Sequence, residues 1–132
     1  MNRAAPLLGL AVATWRLVHV SGPVSVSGTA VVPRDAGLAA VRLDGFLDAQ
    51  TADGAIRTGR TAVAFIGVVD LTRGAVGEMA RPAVTVFIER DGQLVGGAKL
   101  EGNVALSGTA NPGAVSVSGS GILSADVLVR DR

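Results

Sequence analysis

The chain of 132 residues contains no cysteine and no tyrosine, and only one tryptophan, one histidine, one lysine and three phenylalanines. Without cysteine there is no disulfide framework, thiolate metal site, iron–sulfur cluster or cysteine nucleophile. Either redox compartment remains open. Eleven arginines stand against the single Lys99, a bias that base composition of the gene explains without any functional role. Twelve basic and eleven acidic side chains leave a net charge of +1, so the chain lacks the bulk field that would gather nucleic acid or an anionic membrane. Arg57, Arg60, Arg73 and Arg81 could form a local basic patch. They have no interleaved aromatics on which bases would stack, and nearby acids balance them.

Long hydrophobic runs are missing too. The longest charge-free stretch, Gly102 to Ala125, is broken by serines, glycines and Asn111-Pro112, and cannot form a membrane-spanning helix. The opening MNRAAPLLGLAVATW has one positive residue and an Ala11-Val12-Ala13 arrangement but a short apolar middle. Residues 1–14 therefore read as an apolar first strand, with a short signal-like segment as the alternative.

Helical spacing is absent over any stretch of ten or more residues, whereas period-two alternation appears nearly everywhere. With 48% hydrophobic residues and a mean hydropathy of +0.46, the chain carries enough apolar surface to fold as one domain, residues 1–132. From Val115 to Arg130 one phase holds for sixteen residues, with Val115, Val117, Gly119, Gly121, Leu123, Ala125, Val127 and Val129 on one side. So long a strand must bend, and Gly119 and Gly121 stand where a barrel corner wants no side chain.

Turn chemistry divides the remainder. Asp53-Gly54 and Asp91-Gly92 suit tight primed turns. Asn111-Pro112-Gly113, Ser21-Gly22-Pro23 and Pro33 to Gly37 give three more. About eight strands result, near 7–20, 23–32, 38–51, 55–70, 83–90, 93–101, 103–110 and 114–130, with one longer connection from Leu71 to Pro82. Short links imply an antiparallel meander. The expected fold is all-β, a single antiparallel domain, with an up-and-down barrel favoured over a sandwich. A weak echo, SGTA at 27–30 and 107–110 and VSVSG at 24–28 and 115–119, has too few copies for a solenoid.

Candidate chemistry is sparse. His19 is the only histidine, and the chain has no G-x-S-x-G elbow to supply it with a nucleophile. Asp44 and Asp48 share a strand face with Arg42, and Asp53 follows, but the spacing is not that of a calcium loop. Gly96-Gly97, Gly119 and Gly121 lie inside strands and open no helix, so no phosphate cradle is expected. The sequence thus suggests no catalytic, metal or cofactor site, and favours a non-enzymatic role.

Charge distribution says more. Seventeen of the 23 charges lie between Arg34 and Glu101, while Leu17 to Pro33 and Gly102 to Ala125 have none. Outward positions there are hydroxyls, including Ser25, Ser27, Ser116, Ser118 and Ser120. Strands without protecting charge either close on each other or meet another subunit. Phe46 falls in phase with Arg42, Asp44 and Asp48, and Phe87 between Thr85 and Glu89, so both point outward. In Thr61 to Val69 both faces are apolar, which requires a cover over the outer one.

These features point to a homo-oligomer in which Phe46, Phe65 and Phe87 anchor the interface and the serine-faced strands provide flat edges. A structural subunit results, and a bacteriophage capsid, decoration or tail component is the expected setting, by fold-level analogy. Partners are then copies of itself and other assembly proteins, with no nucleic acid and no membrane span, and its location is the virion. The alternative is a cytoplasmic small barrel that binds or cyclises a hydrophobic small molecule, with Trp15, Arg16 and His19 at its cavity.

Overall fold

The computed structural model describes residues 14–130. Eight strands and no helix occur among them: β1 (Trp15–Val31), β2 (Leu38–Gln50), β3 (Arg57–Asp70), β4 (Ala75–Val76), β5 (Met79–Ala80), β6 (Ala83–Arg90), β7 (Gln93–Asn111) and β8 (Ala114–Arg130). All pairings are antiparallel, and the six long strands close a ring in the order β1-β2-β3-β6-β7-β8. The two-residue strands β4 and β5 lie on the same edge of β7 as β6 and continue its register, so Ala75 to Arg90 runs as one interrupted strand of the ring. The fold is an up-and-down barrel. Residues 7–13 of the expected first strand, and the signal-like alternative for 1–14 almost entirely, lie outside the described residues.

Two expected turns are bends instead. Ser21-Gly22-Pro23 lies within continuous β1, whose ladder to β2 pairs Ser21 with Gln50 and resumes at Val24 with Leu47. Pro23, which has no N–H to offer, falls in that gap. The break expected after Glu101 is likewise absent. At that point β7 exchanges neighbours, pairing with β6 up to Glu101 and with β8 from Glu101 onward. In both places an inward glycine lets one strand turn a barrel corner, so six long strands do the work expected of eight shorter ones.

Of the two Asp-Gly pairs, only Asp91-Gly92 makes the tight turn expected, with φ of 52° and 78°, both positive as a type I′ turn requires. Asp53-Gly54 sits in a wider loop in which the Thr51 and Ile56 backbones bond at 2.9 Å and Asp53 is not left-handed. Its carboxylate organises this loop, accepting hydrogen bonds from Thr51 Oγ1 at 2.6 Å and from the Ala55 N–H at 3.0 Å.

Period-two alternation fills the interior. Leu43, Leu47, Ile56, Ile88, Leu100 and Leu123 are fully buried, joined by valines from every long strand. Inward positions are apolar, and outward ones are largely hydroxyl, charged or small. That is a barrel packed with its own core, without the polar lumen of a pore. Among the described residues no helix is long and apolar enough to cross a membrane.

The sequence echo acquires a spatial meaning. β1 and β8 pair along all of β1, from Trp15 with Arg130 to Val31 with Ala114. The two SGTA copies then flank β8 in the same register: Ser27 and Ser107 both oppose Ser118, and Thr29 and Thr109 both oppose Ser116. Two strands on either side of one neighbour face equivalent demands. The glycine of each copy, Gly28 and Gly108, leaves no room for a Cβ against a backbone carbonyl.

Candidate functional site

The expected cavity residues do not converge on the barrel interior. Trp15 is 56% exposed at the start of β1. Arg16 and His19 line a depression of about 320 Å³ at the β2–β3 loop, with Val18, Thr51, Ala52, Asp53 and Ile56. His19 Nδ1 lies 2.8 Å from Asp126 Oδ1 across the β1–β8 pair, both side chains being largely exposed. An exposed pair of this kind stabilises the fold little. Among the described residues no nucleophile is hydrogen-bonded to the imidazole, and no group of three metal-ligating side chains comes together. Arg42 and Asp44, expected to share a face, form an exposed ion pair at 3.1 Å.

Two carboxylates are held in turns. Hydrogen bonds from Thr51 Oγ1 and the Ala55 N–H, helped by the Arg16 cation, hold Asp53 below the usual aspartate range. At the end of β3, Thr72 Oγ1 at 2.6 Å and the Thr72 N–H at 2.9 Å do the same for Asp70, with Arg73 adding to the effect. Asp53 is exposed and Asp70 half-buried at the surface; both arrange loops and neither has a partner poised for proton transfer. Their lowered values favour the folded state above the unfolded aspartate value, and that contribution disappears as pH falls through the folded value. Thr72→Val is expected to return Asp70 toward the ordinary range, as a carboxyl-carbon NMR titration would show. An unchanged midpoint would contradict this account.

The outer wall is more distinctive. Ser25, Ser27 and Thr29 of β1, Ser116, Ser118 and Ser120 of β8, and Ser107 and Thr109 of β7 form a grid of exposed hydroxyls. They occupy the centre of a continuous three-stranded wall, because β1 and β8 close on each other, and therefore do not form the edges expected from sequence. A shallow depression lies over Ser27, Thr29, Ser107, Thr109, Ser116 and Ser118.

Exposed apolar side chains occur on the opposite wall, and also at the other end of β1 and β8, where Leu17 opposes Leu128. Phe46 on β2 and Phe87 on β6 point outward as expected, Phe87 being 72% exposed. Phe65 does not join them: its ring shares the inward face of β3 with Val63 and Val69 and packs partly buried against the core. Its outward neighbours Ile66 and Val68 are exposed instead. No loop covers them. The 71–82 segment pairs with β7 through β4 and β5 and only borders β3, along Met79 to Pro82. The Arg60 guanidinium stacks over the Phe46 ring at 4.0 Å, a cation–π contact that pins both outward side chains.

One feature of this wall has no signature in the alternation pattern. β3 and β6 are joined by a single pair, Arg57 with Glu89. From there to Asp70 the second edge of β3 faces the β4–β6 run across an open seam, with no further bonded pair among the described residues. The signal was the connection from Leu71 to Pro82, too long for a hairpin, which carries the chain past β3 without pairing to it.

No family model matches the chain, and neither a curated protein nor a solved structure matches it; what the protein does must be argued from this geometry.

Proposed function

We propose that the chain is a non-enzymatic structural subunit that assembles with copies of itself and with other assembly proteins, as a capsid, decoration or tail component of a bacteriophage virion. One observation carries this reading: a filled barrel exposes Phe46, Ile66, Val68 and Phe87 on the wall of β2, β3 and β6, among Arg42, Asp44 and Arg60. Large apolar side chains left exposed on a small domain with a complete core mark a contact surface, and charges interspersed with them suit a polar rim. Aromatic side chains at the centre of such a surface supply most of its binding energy. The uncharged hydroxyl wall on the other side suits close lateral packing, since it opposes a neighbour with no like charge. The virion setting rests on analogy with other rigid, helix-poor β subunits.

Phe87→Asp leaves the core untouched and places a charge in the contact. Sedimentation equilibrium is expected to show its dissociation constant raised about 100-fold over wild type. Phe46→Asp is expected to act in the same direction. Association unchanged in the double variant would remove this wall from the interface and overturn the reading.

A further inference from the structure

Hydrogen bonds on either side of the seam between β3 and the β4–β6 run fix which backbone groups face into it. The Leu71 N–H donates to the Gly37 carbonyl at 2.9 Å, so odd-numbered residues of β3 bond β2, and Ala62, Ala64, Ile66 and Val68 direct their N–H groups into the seam. On the far side the Glu78 and Gly74 carbonyls accept from the Leu106 and Ala110 N–H groups of β7, at 2.8 and 3.0 Å. Even-numbered residues of the run therefore bond β7, and Gly77, Met79 and Arg81 direct their N–H groups into the seam.

At the Asp70 end a carboxylate already bridges the two sides. Glu78 Oε1 accepts from the Asp70 N–H at 3.1 Å and Oε2 from the Gly77 N–H at 3.0 Å. Counting back from that rung in antiparallel register, Val68 faces Met79 and Ile66 faces Arg81. No bonded pair joins either rung among the described residues. These four residues line a slot of about 200 Å³ that reaches inward to Gly67, Ala80 and Leu106. The slot exists because the inward residues that meet across the seam here, Gly67 and Ala80, are too small to fill it. Its lining side chains are apolar apart from Arg81, whose exposed guanidinium has no acidic partner among the described residues.

Unbonded N–H donors, an unpaired guanidinium and an apolar slot together select one chemical class. We infer that the seam binds a small aliphatic carboxylate. Its oxygens take the Ile66 and Arg81 N–H groups as Glu78 takes those of Asp70 and Gly77, and the Arg81 guanidinium neutralises its charge. The alkyl chain then runs along the seam past Val68 and Met79, over Gly67, Ala80 and Leu106. Two rungs, about 13 Å, separate its head from the Glu78 bridge, which keeps the two carboxylates apart. A slot of this size takes an unbranched chain and excludes a drug-sized ligand, which needs about 300 Å³ or more. The inference goes beyond structural assembly and stands whether or not the chain self-associates.

Met79 is a natural reporter, since the only other methionine is Met1. With selective methyl labelling of methionine, octanoate is expected to move the Met79 NMR signal saturably, and octanol to bind at least about tenfold more weakly. Arg81→Gln is expected to raise the octanoate dissociation constant about tenfold and to leave that of octanol unchanged. Ala80→Leu fills the slot and is expected to abolish the response. Val68→Asp, at an exposed position, sets a charge beside the alkyl chain without touching the core, and is expected to weaken octanoate at least about tenfold whether or not Ala80→Leu folds. Saturable binding that needs the carboxylate and is lost in these variants supports the inference. A Met79 signal that octanoate leaves in place, or moves without saturation, overturns it. Equal binding of octanoate and octanol also overturns it, as does a response that survives both Val68→Asp and Arg81→Gln, which puts the ligand elsewhere.

Discussion

Gly45→Ala is expected to cost about 4 kcal/mol or more, a large fraction of the stability of a domain this size. Gly45 sits inward on β2, where β1 passes so closely that an added Cβ would stand 1.8 Å from the Ser25 carbonyl oxygen and 2.7 Å from Val26 Cα. Both obstacles are backbone, so no rotamer change relieves the clash; the β1–β2 ladder itself must open. Gly22 meets the same two strands from the other side, at 1.9 Å from the Asp48 carbonyl. A six-stranded ring is narrow, and its strands coil tightly to close. Glycine at these corners is what allows the closure. Gly37→Ala is the matching control, since nothing lies within 4 Å of its added Cβ; it is expected to stay within about 0.5 kcal/mol of wild type. Urea midpoints for the pair check the claim, and equal midpoints would contradict it.

Leu43→Ala is expected to cost about 3 kcal/mol, through lost transfer energy and the void left behind. Leu43 is fully buried at the centre of β2, and its side chain reaches beneath Gly67 on β3 and beside Gly28 on β1. Close strands on both sides limit how far the wall can collapse into the space, which keeps the cost in the upper part of the range. Leu94→Ala, at a position 68% exposed, is expected to be close to neutral. Thermal or urea denaturation separates the two. A loss below about 1 kcal/mol for Leu43→Ala would mean the interior is loosely filled, and the barrel would then resemble a container more than a solid support.

Much of this fold was legible as alternation. Val115 to Val129 held one phase through a strand observed at Ala114–Arg130, and the outward placement of Phe46 and Phe87 followed from their charged neighbours. What alternation could not resolve was the meaning of glycine beside a turn-like residue. Ser21-Gly22-Pro23 and the segment around Gly102 have turn composition, yet both serve as corners within continuous strands. A bend and a turn share the same local chemistry, and only the neighbouring strand decides between them. Phe65 was misplaced for a related reason: where both faces of β3 are apolar, phase alone does not say which is inside. The open seam between β3 and the β4–β6 run was hidden because it depends on where the 71–82 segment goes, a long-range outcome that no local pattern encodes. The hydroxyl strands, by contrast, were recognised as unprotected, and closure of β1 on β8 is how the fold handles them.

Assembly through the outer wall is tested most directly by the molar mass of the wild-type protein in solution, measured by light scattering on a sizing column across a hundredfold dilution. A defined multiple of the 13.2 kDa chain, dissociating toward monomer only at the dilute end, is the predicted result. A single species of 13.2 kDa at every concentration would contradict it.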